Sequence, residues 1–142
     1  MATTRTANAH WEGSLIEGSG NVSLDSSNLG SFDVTWASRA EAPDGRTSPE
    51  ELIAAAHSTC FSMALSHGLA GNGHPPQQVD TKADVDFVAG TGITEIRLTV
   101  RARVEGLSND EFVAAAEDAK VNCPVSQALT GTTIKLDAAL AD

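Results

Sequence analysis

Residues 48–69, SPEELIAAAHSTCFSMALSHGL, narrow the possible folds more than any other stretch of the chain. Ser48 fits a helix N-cap, Pro49 the first helical position and Glu51 the third. Together they form a capping box with proline at its preferred site. The apolar run continues to about Leu69, where Gly68, Gly71 and Gly73 supply a stop. Small residues recur throughout: Ala54, Ala55, Ala56, Ser58, Ser62, Ala64 and Ser66. A helix this apolar around most of its circumference must be buried on most of it. A 142-residue chain with one other long helix offers little to cover it. A second copy, paired about a two-fold axis, is the simplest cover.

The elements on either side read as sheet and helix. Asn21–Asp25 and Ser31–Trp36 alternate, with Val22 and Leu24, then Phe32, Val34 and Trp36, on one face. A strand around His10–Ile16 precedes them, and Gly18–Gly20 is the expected hairpin turn. Beyond the long helix, Val79–Val88 and Ile93–Val104 flank Gly90-Thr91-Gly92, a second hairpin signal. Ile96, Leu98, Val100, Ala102 and Val104 share one face of that second strand. Arg97, Thr99, Arg101 and Arg103 share the other, where a charged row is normally solvated. Ser108 and Glu111 cap a helix running to about Asn122, and Pro124 then opens a short further turn. Thr132–Leu140 closes the chain as a strand. The expected order is β-β-β-α-β-β-α-β, an α+β arrangement in one domain spanning 1–142.

Charge and composition remove several classes of function. A formal net charge of −10 leaves no electrostatic footprint for nucleic acid or an anionic membrane. No apolar run approaches the ~18 residues of a membrane span. The opening MATTRTANAHWEGS lacks the apolar core of a secretory signal, so a cytoplasmic protein is expected. Thiols are kept reduced there, and Cys60 and Cys123, the only 2 cysteines, are either packing residues or a redox pair.

Cys60 lies about three turns inside the helix, too far in for the helix dipole to activate it. Burial alone would raise its pKa and keep it a thiol. Activation requires a cation from outside the helix, and the preceding WASRAEAPDGR offers Arg39 and Arg46. Arginine stays charged when buried and can donate to sulfur and to a peroxide oxygen at once. It needs a carboxylate partner. Because Glu51 is committed to the cap, Glu50 is the carboxylate left over.

The stretch TSPEELIAAAHSTCFSMALS closely resembles the central-helix signature of the osmotically inducible protein C and organic hydroperoxide resistance family. VNCPVSQAL resembles that family's second cysteine motif, including the proline. The resemblance covers nearly the whole chain in element order. It implies antiparallel sheets around a long central helix, in an intertwined homodimer. It implies that Cys60 is the peroxidatic nucleophile, Cys123 the resolving cysteine and Glu50 the catalytic glutamate. The organic hydroperoxide resistance branch carries its arginine near the first hairpin, but this chain has none between Arg5 and Arg39. Arg39 resembles the arginine of the osmotically inducible branch, with Arg46 as the alternative.

The implied reaction reduces organic hydroperoxides, and hydrogen peroxide less well, in oxidative and osmotic stress defence. It passes through a Cys60 sulfenic acid and a Cys60–Cys123 disulfide. A dithiol, a dihydrolipoyl group or similar, reopens that bond. No cofactor or metal is expected: His57 and His67 share a stripe with Cys60 but lie about 15 Å apart along a helix, too far for one ion. His57 reads as a filler of a helix–sheet contact. The competing reading is a non-catalytic dimeric stress or binding protein with buried structural cysteines.

Overall fold

The computed structural model describes all 142 residues, Met1–Asp142. They form two compact units, Met1–Leu52 and Ile53–Asp142, with the boundary in the first turn of the long helix. No helix is long and apolar enough to cross a membrane.

In the first unit, β1 (Asn8–Glu12), β2 (Ser19–Ser23) and β3 (Ser31–Val34) form an antiparallel sheet in the order β1-β2-β3. Pairing of Glu12 with Ser19 puts the first turn at residues 13–18, earlier than the Gly18–Gly20 turn the sequence suggests. Gly18 closes that turn by donating its N–H to Ser14 O at 2.8 Å, and a Cβ there would collide with the same oxygen. The strand expected over His10–Ile16 therefore ends at Glu12, and Gly20 joins β2 opposite Trp11.

The alternation of Phe32, Val34 and Trp36 suggests a strand reaching Trp36, yet β3 stops at Val34. A helix missed in the sequence follows it, α1 (Trp36–Ala40). Thr35 Oγ1 accepts from Ser38 N and Ser38 Oγ accepts from Thr35 N, both at 3.0 Å. This is a capping box with serine in the place usually held by Glu or Gln. It turns the backbone out of the sheet and starts the turn that carries Arg39.

The long helix α2 runs Pro49–Gly71. Only half of the expected capping box at its start is made. Glu51 N donates to Ser48 Oγ at 3.2 Å, but the Glu51 carboxylate accepts from Thr47 Oγ1 at 2.6 Å. At the other end Gly73 has φ 86°, and His74 N donates to Leu69 O at 2.8 Å. Such a left-handed residue past the last turn is where glycine is favoured.

In the second unit, β4 (Gln78–Val88) and β5 (Gly92–Arg103) form the expected antiparallel hairpin. The last strand, β6 (Thr133–Leu140), pairs with β5 in parallel. The sheet is thus mixed rather than wholly antiparallel. A parallel neighbour needs a crossover connection. Two helices supply it: α3 (Asn109–Asn122), with the expected Ser108–Glu111 capping box, and the five-residue α4 (Pro124–Ala128).

Three stripes build the core: Phe61, Leu65 and Leu69 of α2; Ile96, Leu98, Val100 and Ala102 of β5; and Phe112, Ala116, Ala119 and Cys123 along and just past α3. On the opposite face of β5, Arg97 pairs with Asp86 and Glu95, and Arg101 with Asp137. Two of the three arginines in the row thus form surface ion pairs.

Candidate active site

In the first unit α1 and the start of α2 bring Arg39 and Glu50 together. The guanidinium grips the carboxylate with two nitrogens: Nη2 lies 2.8 Å from Glu50 Oε1, and Nε donates to the same oxygen at 3.0 Å and to Oε2 at 3.3 Å. Glu50 is buried, and Arg39 remains about a third exposed. A buried carboxylate is stable only when paired and hydrogen-bonded, and Arg39 meets that need. Arg46 lies elsewhere, at the surface beside Asp44, with Nη1 3.6 Å from its carboxylate. Next to Arg39 is an apolar concavity of about 470 Å³, lined by Trp11, Leu15, Val22, Val34 and Trp36 among others.

In the second unit α2 and the α3–α4 junction bring Cys60 and Cys123 together. Both are free thiols, Cys60 half-buried and Cys123 fully buried. They pack at the same core cluster, close enough for Cys123 to act on the Cys60 thiol. Cys123 ends α3, its N–H donating to Ala119 O at 2.9 Å, and Pro124 starts α4 immediately after it. Val125 lies in the first turn of α4, where backbone amides have no partner inside the helix, and its amide is close enough to the Cys60 sulfur to pull the thiol pKa down.

Burial is the largest influence on the Cys60 thiol and pushes its pKa up. Cys123 adds to the rise, and the Val125 amide opposes it. No cation is among the groups that shift it. Of the apolar neighbours, Phe61 and Leu65 belong to the core, whereas Met63 is 67% exposed.

His57 is fully buried, but its partner is not the sheet. Its Nε2 lies 2.7 Å from Ser126 Oγ of α4. Ser126 was not singled out in the sequence, and the only signal for it was spacing, three residues after Cys123 as His57 is three before Cys60.

The OsmC-like protein family matches residues 42–137. The chain belongs to that family. The OsmC-like chain is 42% identical to the peroxiredoxin OsmC of Escherichia coli K12 over 132 residues, 91% of this chain and 92% of that one. An organic hydroperoxide resistance protein OsmC from Legionella pneumophila has a similar structure, with TM-score 0.71 and 25% identity over 100% of this chain and 99% of that one. An OsmC-like protein from Mycoplasma pneumoniae shares the fold at TM-score 0.74, with 14% identity and both chains covered in full.

Proposed function

We propose that this OsmC-like chain, a peroxiredoxin-like redox enzyme by family, reduces organic hydroperoxides through Cys60 and Cys123. The juxtaposition of the two reduced thiols carries this reading. Two inert packing cysteines have no need to meet. The apolar concavity beside Arg39 supports an alkyl or aryl peroxide over hydrogen peroxide.

In the proposed cycle the Cys60 thiolate attacks the distal peroxide oxygen. The O–O bond breaks, and the leaving alkoxide takes a proton to become an alcohol. Cys60 is left as a sulfenic acid. The Cys123 sulfur displaces that oxygen as water and closes the disulfide. A dithiol of the dihydrolipoyl class then reopens it by two successive exchanges. Arg39, aimed by Glu50, stabilises the thiolate and orients the peroxide. A cycle that must return to two thiols suits the reducing cytoplasm.

The Arg39–Glu50 pair is assigned to the partner chain of a homodimer. Ten residues of continuous helix separate Glu50 from Cys60 by about 15 Å along the axis. Two α2 helices packed about a two-fold axis bring Glu50 of one chain to Cys60 of the other.

The test is reduction of cumene hydroperoxide and of hydrogen peroxide, each with dihydrolipoamide or with thioredoxin as reductant. The expected result is turnover with dihydrolipoamide, faster on cumene hydroperoxide. A Cys60 thiol that survives stoichiometric cumene hydroperoxide would overturn the reading.

A further inference from the structure

The face that α2 turns to the core repeats every four residues as His57, Phe61, Leu65 and Leu69, all at 0 or 1% exposure. Three of the positions are apolar, and the fourth is an imidazole. Burial pushes the His57 pKa down, so the ring is neutral. Its Nε2 meets Ser126 Oγ at 2.7 Å, while Nδ1 is buried with no partner. A buried polar atom left unpaired is costly and uncommon. Of the two neutral tautomers, the favoured one carries its proton on Nε2 and donates to Ser126 Oγ. That tautomer leaves Nδ1 an orphaned acceptor, less severe than an orphaned N–H. For simple packing a leucine here would continue the stripe without the penalty. The one thing the imidazole adds is a directional link to α4.

That link joins the same two elements as the thiols. His57 precedes Cys60 by one helical turn of α2, and Ser126 follows Cys123 by the same spacing on α4. The elements therefore meet at two registered points, the His57–Ser126 hydrogen bond and the neighbouring pair of cysteines. A five-residue helix after a proline has little internal stability, so its placement depends on what it is fastened to. Disulfide geometry is narrow: the bond forms only when the two Cβ atoms approach to roughly 3.5–4.5 Å at the right torsion.

We propose that the His57–Ser126 hydrogen bond is a positioning device that holds Cys123 in register for closure on Cys60. It acts on the resolving step and not on the attack on peroxide. The proposal rests on the peroxidase reading given above. In the step concerned, the Cys123 thiol and Cys60 sulfenic acid form an S–S bond, the S–O bond breaks, and the oxygen leaves as water with both protons. The oxidising equivalents come from the organic hydroperoxide, already reduced to its alcohol.

The variants are His57→Leu, which fills the space without the link, Ser126→Ala, and His57→Gln, whose amide can place an N–H near the position of Nε2. Each is reduced, mixed with one equivalent of cumene hydroperoxide and quenched over time. Mass spectrometry then follows sulfenic acid, disulfide and sulfinic acid. His57→Leu and Ser126→Ala should form sulfenic acid at the wild-type rate but close the disulfide at least tenfold more slowly. Sulfinic acid at Cys60 should rise accordingly. His57→Gln should recover most of the closure rate.

A second arm uses no peroxide. Glutathione disulfide forms a mixed disulfide at Cys60, and Cys123 displaces glutathione as the thiol. The same variants should slow that closure. If wild type closes with glutathione but its thiols ignore peroxide, the peroxidase reading fails while the positioning role stands. Wild-type closure rates in both His57→Leu and Ser126→Ala would overturn the positioning role alone. So would an equal loss in sulfenic acid formation and in closure, since that marks general structural damage.

Discussion

Glu50 and Glu51 are adjacent, chemically identical and differently employed. Glu50 is buried and gripped by Arg39, whereas Glu51 lies exposed at the start of α2 and accepts from Thr47 Oγ1. Glu51→Ala should lower stability by about 0.3–1 kcal/mol, the usual worth of a carboxylate at a helix N-terminus, and leave turnover unchanged. Glu50→Ala should do the reverse, slowing sulfenic acid formation by releasing Arg39; paired melting curves and peroxide kinetics decide it. Cys60 offers a pH test. Burial raises its pKa, so the fold favours the protonated thiol. That contribution to stability is complete below the ordinary thiol range and is lost as pH rises through the folded value. Arg39→Gln should therefore alkylate with a pH midpoint above that of a free cysteine. In the proposed dimer the partner's Arg39 opposes that rise, so the wild-type midpoint should lie below that of Arg39→Gln. His57 has the opposite sign: its pKa lies below the ordinary 6.5 because the buried ring resists protonation. Stability should fall as pH drops below 6.5, and His57→Gln should flatten that slope in melting experiments from pH 7 to pH 5.

The face of α2 turned away from the core carries Ala56, Thr59, Met63, His67 and Ala70, all exposed. No Asp, Glu, Lys or Arg interrupts it, and the two-fold pairing proposed above would cover it. Met63→Glu should convert a dimer to monomers in sedimentation at micromolar concentration and remove peroxidase activity with it, while the circular dichroism stays unchanged. Elements with a strong local signature were legible in the sequence. The Gly90–Gly92 hairpin, the Ser108–Glu111 cap and the apolar face of β5 are all fixed by residues within a few positions of one another. What escaped was decided at a distance or by weaker chemistry. A Thr–Ser box in place of Ser–Glu hid α1. The Glu51 carboxylate found a hydroxyl one residue outside its box. The parallel pairing of β6 depends on the whole α3–α4 crossover, which no strand pattern encodes. The pairing of Arg39 with Glu50 and the approach of Cys60 to Cys123 could be anticipated from residue types and motifs. The Ser126 partner of His57 could not, because a single serine on a five-residue helix has no periodicity to betray it.

At the scale of the whole molecule, a site built from two chains can be tested by mixing them. Cys60→Ser and Glu50→Ala are each expected to be inactive or severely slowed. If Glu50 serves the partner's Cys60, a mixed dimer gathers both defects into one site and leaves the other intact. Subunit exchange should then restore up to about half the wild-type activity per mixed dimer; no recovery despite exchange shown by native mass spectrometry would assign each chain its own activating pair. The burial of the two sulfurs adds a constraint on the cycle. Cys123 is sealed in the core and Cys60 is partly open to solvent. In the proposed cycle an incoming dithiol therefore reaches the disulfide at Cys60, and Cys123 departs inward. Peroxide enters at that same atom. On that reading oxidant and reductant share a single doorway and must take turns, and the kinetics should be ping-pong. A large excess of either should obstruct the other, so a cell flooded with reductant gains less protection than its thiol concentration suggests.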